Sequence, residues 1–75
     1  MNKEKYKNID YTPDENTRFE LEALNKKNED LSNLNLKEAN LDNINLINAK
    51  MKNTDLSRSN LTNASMYGIN LSGSN

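Results

Sequence analysis

The residues that could do chemistry in this chain of 75 are few, and their types restrict the chemistry sharply. There is no histidine and no cysteine. The commonest general base and the best nucleophile are therefore missing, and neither a disulfide nor a thiolate metal site can form. What remains is a scatter of hydroxyls and carboxylates. Glu38, Asp42 and Asp55 are the candidates for a catalytic dyad, but no pair of them is set in a concave pocket, and they read as solvated face residues. Outward oxygens on different faces cannot converge on a cation. The expectation is no enzyme, with no catalytic residue, no metal and no cofactor. The recurring asparagines could pass for a recognition ladder, but they read more simply as side chains that satisfy backbone groups at corners. The remaining candidate is for contact rather than catalysis: Ile47 and Tyr67, with Lys50 and Lys52 flanking them. An exposed aliphatic and aromatic pair is a plausible contact spot.

Where these side chains point depends on a backbone whose period is written plainly in "LDNINLINAKMKNTDLSRSN", residues 41–60. From residue 31 on, every fifth position is Leu or Met: Leu31, Leu36, Leu41, Leu46, Met51, Leu56, Leu61, Met66 and Leu71. Two residues before most of these centres stands something small or apolar, such as Ala39, Ile44, Ala49, Ala64 and Ile69. The residue just before the centre is polar, usually Asn, and the two after it are mostly polar. A helix would rotate such a stripe by about 140° per step and scatter it round the surface. A single strand would point every second centre at water. A chain that turns a corner every five residues keeps all the centres inside. Four corners close a square coil of 20 residues, and successive coils stack at β spacing, about 4.8 Å.

The unbroken run "EANLDNINLINAKMKNTDLSRSNLTNASMYGINL" resembles the pentapeptide-repeat family, whose consensus is A-(D/N)-L-x-x, and the register covers residues 31–75 as nine units. The resemblance implies an all-β solenoid: a short right-handed quadrilateral β-helix of about two coils. Residues stacked in space are then 20 apart in sequence, so Leu36 lies with Leu56, Leu41 with Leu61, and Ile47 with Tyr67. Ile44 under Ala64 and Ala49 under Ile69 pair large with small.

Two positions past the centre stand Asn33, Asn43, Asn48, Asn53, Asn63, Gly68 and Gly73. These types accept φ > 0, as a type II turn requires. Glu38 and Arg58 break the pattern one coil apart. Their face is expected to use a different turn without a left-handed residue, and the two side chains to stack as an exposed ion pair.

The organisation expected is an N-terminal tail and capping helix over residues 1–30 and a repeat β-helix over 31–75. Thr12-Pro13-Asp14-Glu15 reads as N-cap, first-turn proline and capping box. A helix from about Pro13 to Lys27 would offer Phe19, Leu21, Ala23 and Leu24 to cover Leu31 and Leu34. A rival register reads residues 19–26 as a degenerate coil, but Lys26 would then sit at a centre. At the other end Leu71, Ile69 and Met66 would face an open edge, and a homodimer through the C-terminal coil is the economical cover. Gyrase-interacting members of the resembled family pair in this way, with extra helices that this chain lacks.

Charge singles out no partner. The net charge is −1, and residues 31–75 carry four bases and three acids. Direct nucleic-acid binding is not expected. Residues 1–7 are charged and lack the apolar core of a secretory signal, and no apolar run approaches a membrane span. The expectation is a cytoplasmic protein, no membrane, and Asn-rich sequons that are by-products of the repeat. The functional reading is a non-enzymatic binding or scaffold module with an unidentified protein partner. The alternative, by resemblance, is an inhibitor or protector of a nucleic-acid enzyme, as a mimic of DNA for a gyrase or a phage-like antagonist of a host nuclease. The near-neutral repeat and its length of about 10 Å argue against that alternative.

Overall fold

The computed structural model describes residues 3–75. Met1 and Asn2, which open the expected tail and the stretch read against a secretory signal, lie outside the described residues. A 3₁₀ turn, Lys3–Lys7, leads to a single α-helix among the described residues, α1, Thr17–Lys26. The rest of the chain is corners and isolated parallel bridges: Asp30 with Lys50, Asn35 with Asp55, Asn40 with Asn60, Asn45 with Ser65 and Lys50 with Asn70. Every bridge joins residues 20 apart, so the chain passes over itself in layers of twenty. No extended strand forms among the described residues, because each corner takes up the residues between one bridge position and the next.

Three backbone bonds per unit tie one layer to the next. The centre donates: Leu41 N–H to the Asn60 carbonyl and Leu46 N–H to that of Ser65, both at 2.8 Å. The residue two past the centre donates as well, Asn43 to Thr62 at 2.8 Å and Asn48 to Tyr67 at 2.8 Å. The carbonyl two before the centre accepts, as Ala39 does from Asn60 at 2.9 Å. A ladder of this kind satisfies groups whose burial unpaired would cost about 1–3 kcal/mol each.

The corners are uniform, and here the structure corrects the sequence. All nine residues two past a centre, from Asn33 to Gly73, have φ between 56° and 72°, including Glu38 at 61° and Arg58 at 56°. Their face carries the same left-handed turn as the others. The turn is imposed by the layer: Glu38 N–H must reach the Ser57 carbonyl, which it does at 2.9 Å, while Leu36 closes its own corner by accepting from Ala39 at 3.2 Å. The two side chains form an exposed ion pair at 3.7 Å, worth well under about 1 kcal/mol.

This uniformity gives a pair of opposite predictions. A left-handed backbone strains an L-residue by about 1–2 kcal/mol, part of which glycine returns as unfolded-state entropy. Arg58→Gly should therefore raise stability by up to about 1 kcal/mol. At Gly68, with φ +71°, an added Cβ would land on Asn48 Oδ1 in the layer before, so Gly68→Ala should lose about 1–2 kcal/mol. Urea midpoints of the two variants, moving in opposite directions, check both.

One corner is built differently. Thr54 is buried, and its hydroxyl donates to the Leu31 carbonyl at 2.8 Å while accepting from Leu34 N–H at 3.4 Å. It is wedged into the corner of the layer before. Ser74 repeats the device one layer later, accepting from Thr54 N–H at 3.0 Å and donating to the Met51 carbonyl.

The core runs through the middle of the layers and into the N-terminal segment. Leu31, Leu36, Leu41, Leu46 and Met51 are fully buried, and Leu56 is 7% exposed. Leu61 and Met66 are half-buried and Leu71 is 37% exposed, so the inward column loses its cover in the last layer. Leu21 and Leu24 of α1 join the same cluster, and so does Tyr6 from the 3₁₀ turn.

The helix departs from expectation in three ways. It begins at Thr17 rather than near Pro13, and its N-cap is Asn16, which makes no side-chain capping bond. The Thr12–Glu15 capping box is therefore not formed. Asp14 instead organises a turn ahead of the helix, accepting from Asn16 N–H at 2.9 Å. Phe19 is 58% exposed: the buried face is Thr17, Leu21 and Leu24, at i, i+4 and i+7, and Phe19 stands about 200° away from Leu21.

Candidate interaction surface

The surface is built where α1 meets the wall of the layers. Two side chains of α1 reach backbone groups at the corner that carries Ile47. Glu22 Oε2 accepts from Asn45 N–H at 2.7 Å, and the Asn25 amide donates to the Ile47 carbonyl at 3.1 Å. Further along, Arg18 donates to the Asp42 carbonyl at 2.6 Å and lies over the Phe19 ring, 4.7 Å from its centroid. These bonds fix the helix against the layers, and an open groove of about 530 Å³ lies beside them. Its apolar lining is Phe19, Ala23 and Ile47, and Lys26 adds a charge. No ion pair engages Lys26 among the described residues.

Of the residues the sequence singles out for contact, only Ile47, 42% exposed, lines the groove. Tyr67 lies one layer on, joined to the Ile47 corner by the Asn48 to Tyr67 backbone bond, and is 82% exposed. Lys50 and Lys52 are exposed, and Lys50 occupies a bridge position between Asp30 and Asn70. The three do not line the groove. Phe19 belongs to this surface and not to the helix face expected to cover Leu31 and Leu34; the spacing of Thr17, Leu21 and Leu24 is the signal that excludes it.

A second polar cluster fastens the N-terminal segment. The hydroxyl of Tyr6, fully buried, donates to Glu20 Oε1, and Lys5 Nζ lies 2.8 Å from the same oxygen. Tyr11 packs edge-on against Tyr6 at 4.9 Å and shares a hydrogen bond with the Thr17 hydroxyl at 2.6 Å. The bond from Lys5, then that from Tyr6, holds the Glu20 carboxyl below its ordinary value of 4.5. Burial first, then the bond to Glu20, pushes the Tyr6 phenol up.

A carboxyl held low in the folded state stabilises the fold above its ordinary pKa, and that contribution is lost as pH falls through the lower folded value. The melting temperature should therefore decline on acidification from about pH 4.5 downward. Asp30 and Asp55 shift in the same direction through Ser32 and Ser57. The share due to Glu20 is thus the part that disappears in Glu20→Gln, and melting curves of the two chains between about pH 6 and about pH 2 separate it.

No group of three or more Asp and Glu among the described residues could hold a metal ion. No helix among them is long and apolar enough to cross a membrane. A layered backbone of period 20, cornered every five residues around Leu and Met, defines a class of repeat protein. The family model for pentapeptide repeats matches residues 39–75 in eight copies. The chain belongs to the pentapeptide-repeat family, which implies a right-handed β-helix solenoid and suggests a non-enzymatic repeat protein. The left-handed corners at Asn33 and Glu38 continue the pattern ahead of the matched residues. No curated protein and no solved structure matches the chain.

Proposed function

We propose that the protein is a non-enzymatic binding module that holds a protein partner in the groove between α1 and the layered wall. The observation that carries this reading is the continuity of exposed apolar side chains there. Phe19 and Ile47 line one groove, and Tyr67 extends the column past it. Aromatic and aliphatic anchors in a preformed cleft are what protein interfaces use, with charged neighbours at the rim. Lys26 supplies a charge at the groove, and Lys50 and Lys52 are exposed beyond it. In this reading residues 1–30 form the tail and cap, and 31–75 the solenoid whose wall is the other side of the groove.

The test is a partner captured with the unsubstituted chain and identified by mass, then titrated against Phe19→Ser, Ile47→Ser and Tyr67→Ser. All three side chains are exposed, so the fold should survive. Affinity should drop about tenfold or more for Phe19 and Ile47. Unchanged affinity in all three sinks the reading.

The last layer supports a second contact, between copies. Leu71, Ile69 and Met66 are exposed or half-buried there, and a second copy of the chain is the proposed cover. Sedimentation that gives only monomer at high micromolar concentration rejects this pairing.

A further inference from the structure

The groove beside α1 has two walls of different kinds. On the layered side the backbone is already committed. Asn45 N–H donates to Glu22 at 2.7 Å, the Ile47 carbonyl accepts from Asn25 at 3.1 Å and the Asp42 carbonyl accepts from Arg18 at 2.6 Å. A visiting chain therefore cannot add to these groups as a strand, which needs free backbone donors and acceptors. Recognition falls to side chains. On the helix side Phe19, Glu22, Ala23 and Lys26 all line the groove, and their spacing of i, i+3, i+4 and i+7 makes them one stripe of α1.

The charges of this stripe are unequally met. Glu22 and Lys26 have the spacing and the order at which Glu and Lys pair on a helix. They do not pair here: the Glu22 carboxylate accepts from Asn45 N–H instead, and no ion pair engages Lys26 among the described residues. Arg18, which lies over the Phe19 ring at the other end of the stripe, has no carboxylate partner among them either. The groove thus offers two cations without a counter-ion, and its one acid is already bonded. Its volume of about 530 Å³ lies in the range of ligand sites, about 300–1,000 Å³, but such sites enclose most of a small molecule. A half-open groove instead takes a chain that lies along it and leaves one face in water.

We infer that the groove binds an extended peptide segment of a partner protein, one that carries an apolar residue and, about three residues away, a carboxylate side chain. The apolar residue packs on Phe19 and the carboxylate reaches Lys26, with Ile47 as the opposite wall. The spacing follows from the helix. Lys26 stands seven residues on from Phe19, about 10 Å along the axis, which about three residues of extended chain span. The inference rests on the groove reading proposed above and adds the chemistry of the occupant.

The test presents a phage-displayed library of random short peptides to the full chain, and recovered binders are made as synthetic peptides with blocked ends. Binders that lose about tenfold in affinity on Phe19→Ser or Ile47→Ser report the groove. Each is compared with a twin in which its acid is replaced by the amide. The unsubstituted chain should prefer the acid by about fivefold at low salt, and the preference should fade as salt rises. Lys26→Gln should abolish it, and Lys26→Glu should turn it toward a lysine-bearing twin. The glutamine variant covers the case in which the glutamate loosens α1. Glu22→Gln, which keeps an acceptor for Asn45 N–H, should act the other way and tighten the acidic peptide by about twofold or more. Groove-dependent peptides without an acid, or an acidic preference that survives Lys26→Gln, overturn the inference and leave the groove reading standing. Recovery of no groove-dependent peptide also overturns it, while the groove reading is decided separately, by the captured partner titrated against the serine variants.

Discussion

Leu41→Ala should lose about 2–5 kcal/mol of stability and lower the melting temperature by an amount on the order of 10–30 °C. Leu41 is fully buried, and the bonds of Leu41 and Asn43 to Asn60 and Thr62, with that of Asn60 to Ala39, tie its unit to the next layer, so the cavity left by the missing carbons collapses only in part. A chain of 75 residues has only about 4–11 kcal/mol in total, so the loss is a large part of what holds it folded. Position along the stack decides the cost. Leu61, in the same column but half-buried, should lose less, and Leu71→Ala, at 37% exposure, under about 1 kcal/mol. Denaturant midpoints that fall in this order check the account. Equal costs at the three positions would mean that the centres do not share one graded core.

Tyr6→Ala should cost nearly as much, about 3–5 kcal/mol by loss of a buried aromatic. It leaves the Glu20 carboxylate to Lys5 alone and removes the ring on which Tyr11 packs. A local signature should accompany the global one. Asn35 N–H, which bonds to the Tyr6 carbonyl at 2.6 Å, should lose protection against hydrogen exchange faster than Asn60 N–H, which bonds to Ala39 within the stack at 2.9 Å. Equal loss at both amides would show the segment and the layers to be one cooperative unit.

These two residues also mark what the sequence discloses. Leu41 was legible because the repeat is local: a five-residue period admits one backbone habit, and the centres follow from it without further information. Tyr6 was not legible. It belongs to no periodicity, and its burial comes from a segment folding back across residues more than twenty positions away. Glu38 and Arg58 are left-handed like the other corners although their side chains do not favour it, so side-chain preference is not the cause of the corner. The interlayer bonds are the cause, and they hold two ordinary residues left-handed at about 1–2 kcal/mol each. The helix lay between these cases. Its position is readable to within four residues, but the capping box expected at Thr12–Glu15 does not form and Phe19, expected to cover Leu31 and Leu34, is exposed, since both depend on which face the layers present. The candidate surface was accordingly half-visible: Ile47 and Tyr67 from the 20-residue column, the groove and Phe19 only once α1 is placed.

The central claim is that each layer bonds to the next across twenty residues. Scalar couplings transmitted through hydrogen bonds, measured by NMR on the uniformly labelled chain, test it most directly. Leu41 N–H should couple to the carbonyl carbon of Asn60, Asn60 N–H to that of Ala39, and Leu46 N–H to that of Ser65. Couplings confined to residues three or four apart over 31–75, or none at all, would contradict it.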